Sequence, residues 1–138
     1  MREILFRAKH VHVLPQNEHL DGIWVYGYLC YENYINTVDE DEYGGRFTSE
    51  MLIDPETVCQ YTGLIDRNGR KIFEGDIVSA WSEGSHATGR VKQRIDGLWL
   101  LYPAWQNKIM WGLCPNNKGE TTVEVIGNIF DNPDLMKG

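Results

Sequence analysis

Apolar and polar positions alternate with a period of two along much of this chain. Glycine, asparagine and aspartate interrupt the alternation at short intervals, which predicts short strands joined by tight turns. Residues 2–8 read as a strand. A stronger one follows in Trp24-Val25-Tyr26-Gly27-Tyr28-Leu29-Cys30-Tyr31, where Trp24, Tyr26, Tyr28 and Cys30 share a face. Between them Pro15, Gln16, Asn17, Glu18, Asp21 and Gly22 carry the turn chemistry that would join the two strands.

Residues 37–50 combine the acidic run Asp39-Glu40-Asp41-Glu42 with Gly44-Gly45 and predict a surface loop, the acidic loop 39–45 being its centre. Asp54-Pro55 reads as the cap and first position of a helical turn that Gly63 keeps short. Tyr61–Ile65 and Lys71–Phe73 flank Asn68-Gly69, a hairpin signal in which both residues would supply positive φ. Ile77–Trp81, Arg90–Ile95, Leu98–Tyr102 and Thr121–Phe130 continue the strands, with Asp96-Gly97 as a further hairpin turn. The expected fold is mainly β, a β-rich α+β chain, with an N-terminal β-rich subdomain over 1–53 and a small barrel over 54–138.

Composition narrows the class without naming a function. At 138 residues, 42% hydrophobic and 24% charged, the chain can bury a core without staples. No apolar run approaches the roughly 20 residues that cross a bilayer, and charge interrupts Met1–Arg7 too early for a signal peptide, so a cytoplasmic, membrane-free protein is expected. Cys30, Cys59 and Cys114 form no C-x-x-C pair and read as reduced thiols. The net charge of −7 is concentrated in front: residues 1–54 hold ten acids and four bases, residues 55–138 ten acids and nine bases. Such a field repels phosphate backbones unless a local basic patch overrides it.

One such patch is suggested by Arg90, Lys92 and Arg94, which a strand would project from one face while Val91 and Ile95 point inward. With Trp81, Trp99 or Tyr102 nearby for base stacking, these three are the candidate nucleic-acid contacts. Trp99, Tyr102, Trp105 and Trp111 are the candidate interface aromatics, since Trp and Tyr are enriched where subunits meet. His10-Val11-His12 with His19 and Cys30 lacks an evident third ligand on one element. Asp66-x-Asn68-Gly69 fails as a calcium loop, because aligning its glycine puts Leu64 and Gly75 at ligand positions. Glu74 and Asp76 flank a turn glycine and read as backbone acceptors rather than an acid/base pair. No nucleophile elbow, phosphate loop or H-E-x-x-H is present, so the expectation is no enzyme, no catalytic residue, no metal and no cofactor.

The stretch Asp54-Pro55-Glu56-Thr57-Val58-Cys59-Gln60-Tyr61-Thr62-Gly63-Leu64 is followed by Asp66, Asn68-Gly69 and Ile72-Phe73-Glu74-Gly75-Asp76-Ile77-Val78. Together with the closing Val125-Ile126-Gly127-Asn128-Ile129-Phe130-Asp131-Asn132-Pro133-Asp134-Leu135, it resembles the YopX family of bacteriophage and prophage proteins. That resemblance implies an SH3-like barrel in the C-terminal part, homo-oligomeric assembly and a bacterial host cell. It carries no reaction, so its letters read as architecture: Gly63 and Gly75 for bends, Ile72, Phe73, Ile77 and Val78 for a barrel interior. The expected role is a non-enzymatic phage or prophage accessory protein, an oligomeric scaffold that binds a protein partner. The alternative is a nucleic-acid-binding regulator that uses the basic strand.

Overall fold

Strands form where alternating side chains have one face to bury, and the turns between them are set by a small number of polar side chains bonded to backbone. The computed structural model describes residues 4–11, 22–40, 42–82, 85–95, 97–106, 109–113 and 115–136. It divides the chain into two units, Met1–Gln60 and Tyr61–Gly138. The expected turn residues 15–21, and His12, His19 and Cys114, lie outside the described residues. Mainly β is correct: among the described residues the only helical elements are 3-10 turns at Pro55–Thr57 and Pro133–Met136.

In the first unit β1 (Phe6–Lys9) pairs antiparallel with β2 (Trp24–Cys30) on one side and with the start of β5 (Cys59–Ile65) on the other. β2 continues to β3 (Tyr34–Glu40), and β3 to β4 (Arg46–Leu52). Ala8, Val25, Ile35 and Ile53 are buried together, with Phe6, Met51 and Val58 against them. Past the end of β4 the chain returns to β1. His10 and Ile53 form a bridge, the Val11 N–H donates to the Leu52 carbonyl (2.9 Å), and the Asp54 N–H donates to the Lys9 carbonyl (2.9 Å). Asp54 lies in this unit, where its Oδ1 caps the 3-10 turn by accepting from the Glu56 N–H (3.0 Å).

The loop expected over 37–50 is instead most of a hairpin. β3 and β4 pair without a break from Tyr34↔Leu52 to Glu40↔Arg46, leaving a connection of only 41–45. The acidic run and Gly-Gly signal the turn correctly. The cross-strand partners that extend it, such as Val38↔Thr48 and Thr37↔Ser49, are not readable from either strand alone.

In the second unit β5 bulges where its register shifts between Tyr61 and Ile65, at Gly63 (φ +85°), and then pairs with β6 (Lys71–Phe73). β7 (Asp76–Ser82), β8 (Ser85–Gln93), β9 (Trp99–Gln106), β10 (Ile109–Gly112) and β11 (Glu124–Asn128) form an antiparallel sheet in the order β10-β9-β8-β7-β11, which is open. One cluster gathers Ile72, Val78, Ala80, Val91, Trp99, Leu101, Leu113, Val123 and Val125, with Leu64 against it. Phe73 and Ile77 are also buried but belong to the opposite faces of their strands, because neighbours in a strand point apart. Phe73 packs on Tyr61 with ring centroids 5.5 Å apart. Ile95, expected inside, is fully exposed, since β8 ends at Gln93 and Ile95 sits in the following turn.

Three turns of this unit share one construction. In Asp66–Arg70, Arg94–Leu98 and Asn116–Glu120 the first N–H donates to the fifth carbonyl, at 2.8, 2.7 and 3.0 Å. The fourth residue's N–H donates to the first carbonyl, at 3.0, 2.8 and 3.1 Å. The fourth residue is always a positive-φ glycine: Gly69, Gly97 or Gly119. Asn68 does not share the positive φ expected of it, so the turn is the longer glycine-closed kind rather than a two-residue one. Two of the three turns are braced by their first side chain. Asp66 Oδ1 accepts from the Asn68 and Arg70 N–H groups (2.9 and 2.8 Å), as Asn116 Oδ1 does from Lys118 and Glu120 (2.8 and 3.0 Å). Asp66 also reaches across the core, its Oδ2 accepting from the Val125 N–H at 3.0 Å, and it is buried.

Removing that carboxylate orphans three donors at once. Asp66→Ala is expected to lower the unfolding free energy by about 3 kcal/mol or more, read as a fall in the urea midpoint. Gly69→Ala, where a methyl meets nothing within 4 Å but φ is +82°, is expected to cost about 1–2 kcal/mol.

Candidate functional site

Among the candidate contacts, β8 and β9 bring Arg90, Lys92 and Tyr102 together. Arg90 pairs in register with Tyr102, and period two puts Lys92 on the same face. The Arg90 guanidinium lies 5.4 Å and the Lys92 amine 4.9 Å from the centre of the Tyr102 ring. Lys92 is exposed, Arg90 partly buried, and the ring about half exposed. Val91 between them is buried in the core as expected. Arg94 does not extend the stripe, because it opens the 94–98 turn and has left the strand.

The four aromatics do not form one cluster. Trp99 is a core residue and Tyr102 is on the surface. Trp105 and Trp111 lie in β9 and β10, opposite Met110 and Leu101, and their side chains fall outside the described residues. Trp81, named above as a possible stacking ring, forms a second aromatic centre on the same sheet face as Arg90, and its partners are what sequence reasoning missed. There Trp81 pairs with His86 across β7 and β8, ring centroids 5.2 Å apart, and the Arg67 guanidinium stands 5.5 Å from the Trp81 ring. Arg67 arrives from the Asp66 turn, and nothing in local spacing announces it. In the first unit Arg7 and Lys9 likewise lie over Trp24, at 4.7 and 5.5 Å. Cations over rings recur on this chain, each such contact contributing about 0.5–1 kcal/mol at an exposed site. A nucleobase stacking on Tyr102 competes with cations already there.

Polar residues of the sequence signature are engaged with backbone. Asp76 is buried and its Oδ2 accepts from the Phe73 N–H (2.8 Å), the backbone-acceptor role expected for it, which closes the turn at Gly75. Thr62 Oγ1 donates to the Ile72 carbonyl (2.7 Å) and accepts from the Leu64 N–H (3.1 Å). Asn128 Oδ1 accepts from the N–H groups of Phe130 and Asp131 (3.0 and 2.9 Å), while its amide donates to Asp131 Oδ2 (3.1 Å). The turn this makes presses on β11, where a Cβ at Gly127 would stand 2.6 Å from Asn132 Oδ1, so any larger residue there has to displace the Asn132 side chain.

Several residues whose letters carry the resemblance therefore shape turns, and the resemblance itself is met by a family model: the one described as YopX protein matches residues 14–137. The chain belongs to the YopX family. No curated protein matches it. The YopX match runs through both units, and in this YopX chain Asp66, Thr62, Asp76 and Asn128 are all committed to main-chain groups.

An open cleft of about 440 Å³ lies between β2, β3 and β4, with Trp24, Tyr26, Val38 and Met51 among its walls. Its described lining holds no carboxylate, imidazole, thiol or amine. Among the described residues no three His, Cys, Asp or Glu side chains gather as metal ligands, and His10 directs Nδ1 at the Leu52 carbonyl (2.7 Å). No described helix is long and apolar enough to cross a membrane.

The two classes of residue predict two classes of variant. Lys92→Ala and Tyr102→Leu are expected to change stability by less than about 1 kcal/mol. Asp76→Ala, which removes the carboxylate acceptor of the buried Phe73 N–H, is expected to cost about 2–3 kcal/mol in the same urea titration.

Proposed function

We propose that this YopX-family protein is a non-enzymatic accessory protein of phage or prophage origin, acting in the bacterial cytoplasm as a homo-oligomeric β scaffold that binds a protein partner. The observation that carries this reading is where the signature's polar groups go. Both oxygens of Asp66, Oδ2 of Asp76 and Oδ1 of Asn128 accept from backbone N–H groups, which supports reading these distinctive residues as specifying shape. A surface suited to protein contact accompanies them in the first unit, where Tyr26, Tyr28, Val38, Tyr43 and Phe47 are all exposed. The Asp54 signature turn and the sheet it borders serve the same purpose, presenting strands rather than a reactive pocket.

The finer fold reading is an SH3-like barrel in the second unit. It is supported by the joining of Ile65 to Glu120 in a parallel bridge and by the Arg67 N–H donating to the Val123 carbonyl (2.8 Å). It is also supported by one core drawing from β6 through β11. The second functional reading is nucleic-acid binding through Arg90, Lys92 and Arg94, favoured by Arg90 and Lys92 sharing one sheet face and opposed by the departure of Arg94 from that strand, by the cations that already cover the Tyr102 ring and by the net charge of −7.

Light scattering on the eluting peak of a sizing column is expected to give a mass above 15.9 kDa, and a tagged chain drawn from induced host cells to retain a protein partner. A strictly monomeric chain at high concentration counts against the scaffold. Titration with single- and double-stranded oligonucleotides separates the second reading: binding at low salt that weakens as salt rises favours it, and none at low salt removes it.

A further inference from the structure

Thirteen lysines and arginines stand against twenty aspartates and glutamates on this chain, so a positioned cation that meets no carboxylate calls for a reason. Arg7, Lys9 and Lys71 lie over rings and have further contacts of their own. Arg67, Arg90 and Lys92 differ: among the described residues their charged groups meet a ring and no carboxylate. Glu124 shares their sheet face, beside Ser79 and half-buried, yet makes no ion pair with any of the three.

The three cations serve one face of the second unit. Trp81 pairs with His86 and Tyr102 with Arg90, so period two sets His86, Arg90 and Lys92 on the side of β8 from which both rings project. Trp81 is 46% and Tyr102 44% exposed, and Arg67, His86 and Lys92 are exposed as well. A guanidinium or ammonium over a ring is held by its charge and keeps N–H donors to spend elsewhere. The ring also restricts a long side chain in advance, so less freedom is lost when a ligand arrives.

We propose that this face docks an acidic segment of a protein partner, whose carboxylates accept from Arg90 and Lys92 beside Tyr102 and from Arg67 beside Trp81. This rests on the protein-partner reading above and names a surface and the partner's chemistry. Arg90 and Lys92 lie roughly 7 Å apart along β8, the spacing of alternate side chains in an extended peptide. The levels of Trp81 and Tyr102 are four residues apart on β8, roughly 13 Å, which a short extended segment spans. A nucleic acid fits less well. A base has to displace the cations from the ring on which it stacks, whereas a carboxylate uses them where they stand. A run of phosphates also extends past the face and meets the −7 charge of the chain, while a few carboxylates bind within a Debye length of about 8 Å.

The experiment is a fluorescence-anisotropy titration of the full-length chain into a labelled peptide as long as β8, in which glutamate alternates with serine, with a single-stranded oligothymidylate as the second probe. The glutamate peptide is expected to bind at low salt and to weaken as salt rises. Arg67→Ala, Arg90→Ala and Lys92→Ala are each expected to weaken it by about two- to fivefold and the three together by about tenfold or more, whereas Lys118→Ala, in the 116–120 turn outside the sheet, leaves it unchanged. An equal loss in Lys118→Ala overturns the face, because total charge rather than position is then responsible. Tighter binding of the oligothymidylate than of the peptide overturns the partner class. No peptide binding at low salt overturns the docking surface, and the protein-partner reading stands without it where the tagged chain and its triple variant retain the same protein from induced cells. No peptide bound and no protein retained overturns both.

Discussion

The second unit depends on a buried carboxylate that satisfies main-chain donors from two distant parts of the chain. Asp66 accepts from Asn68 and Arg70 within its own turn and from Val125 in β11. The first two bonds fix how β5 passes to β6. The third fixes where the last strand lies relative to that turn. A carboxylate can serve here because its oxygens accept several N–H groups in different directions, which no apolar side chain and no hydroxyl could do. Around it, Val123 and Val125 join the common core, so the polar bond sets the register and the apolar contacts supply most of the burial.

Much of this was legible in the sequence because turns and alternation are local. Trp24 to Cys30 reads as a strand and is one, the turns closed by Gly69 and Gly97 stand where the glycines put them, and Asp54 caps a single helical turn. What failed was whatever needed a partner strand. The β3–β4 hairpin was hidden because four consecutive acids argue for solvation, and only pairing with Arg46 to Thr48 makes that stretch a strand. Ile95 looked inward because the alternation was carried one turn too far, past the end of β8. The surface aromatics divided for the same reason: Trp99 and Tyr102 lie three apart on one strand and point to opposite sides. Arg67 over Trp81 and Arg7 over Trp24 join residues that only the fold brings near.

The two units treat their polar inventory differently. In the second, aspartate and asparagine are drawn into turns, and arginine and lysine lie over aromatic rings on the outer face of the sheet. In the first, the acids collect around the 41–45 connection, while aromatic and aliphatic residues remain exposed on strands. YopX-family membership bears on both, because the matched span begins ahead of β2 and ends past β11.

Fifty-nine positions separate Asp66 from Val125, and the bond between them has a consequence in time. While the polypeptide emerges from the ribosome, the 66–70 turn can close on its two local donors, but the second carboxylate oxygen must wait, hydrated, until β11 has been synthesised. Desolvating it earlier would carry a penalty with no compensating donor, which disfavours premature collapse of β5 to β9 into a dry core. Folding of the second unit is thereby coupled to arrival of its last strand, a built-in delay that keeps a half-made sheet from setting in the wrong arrangement.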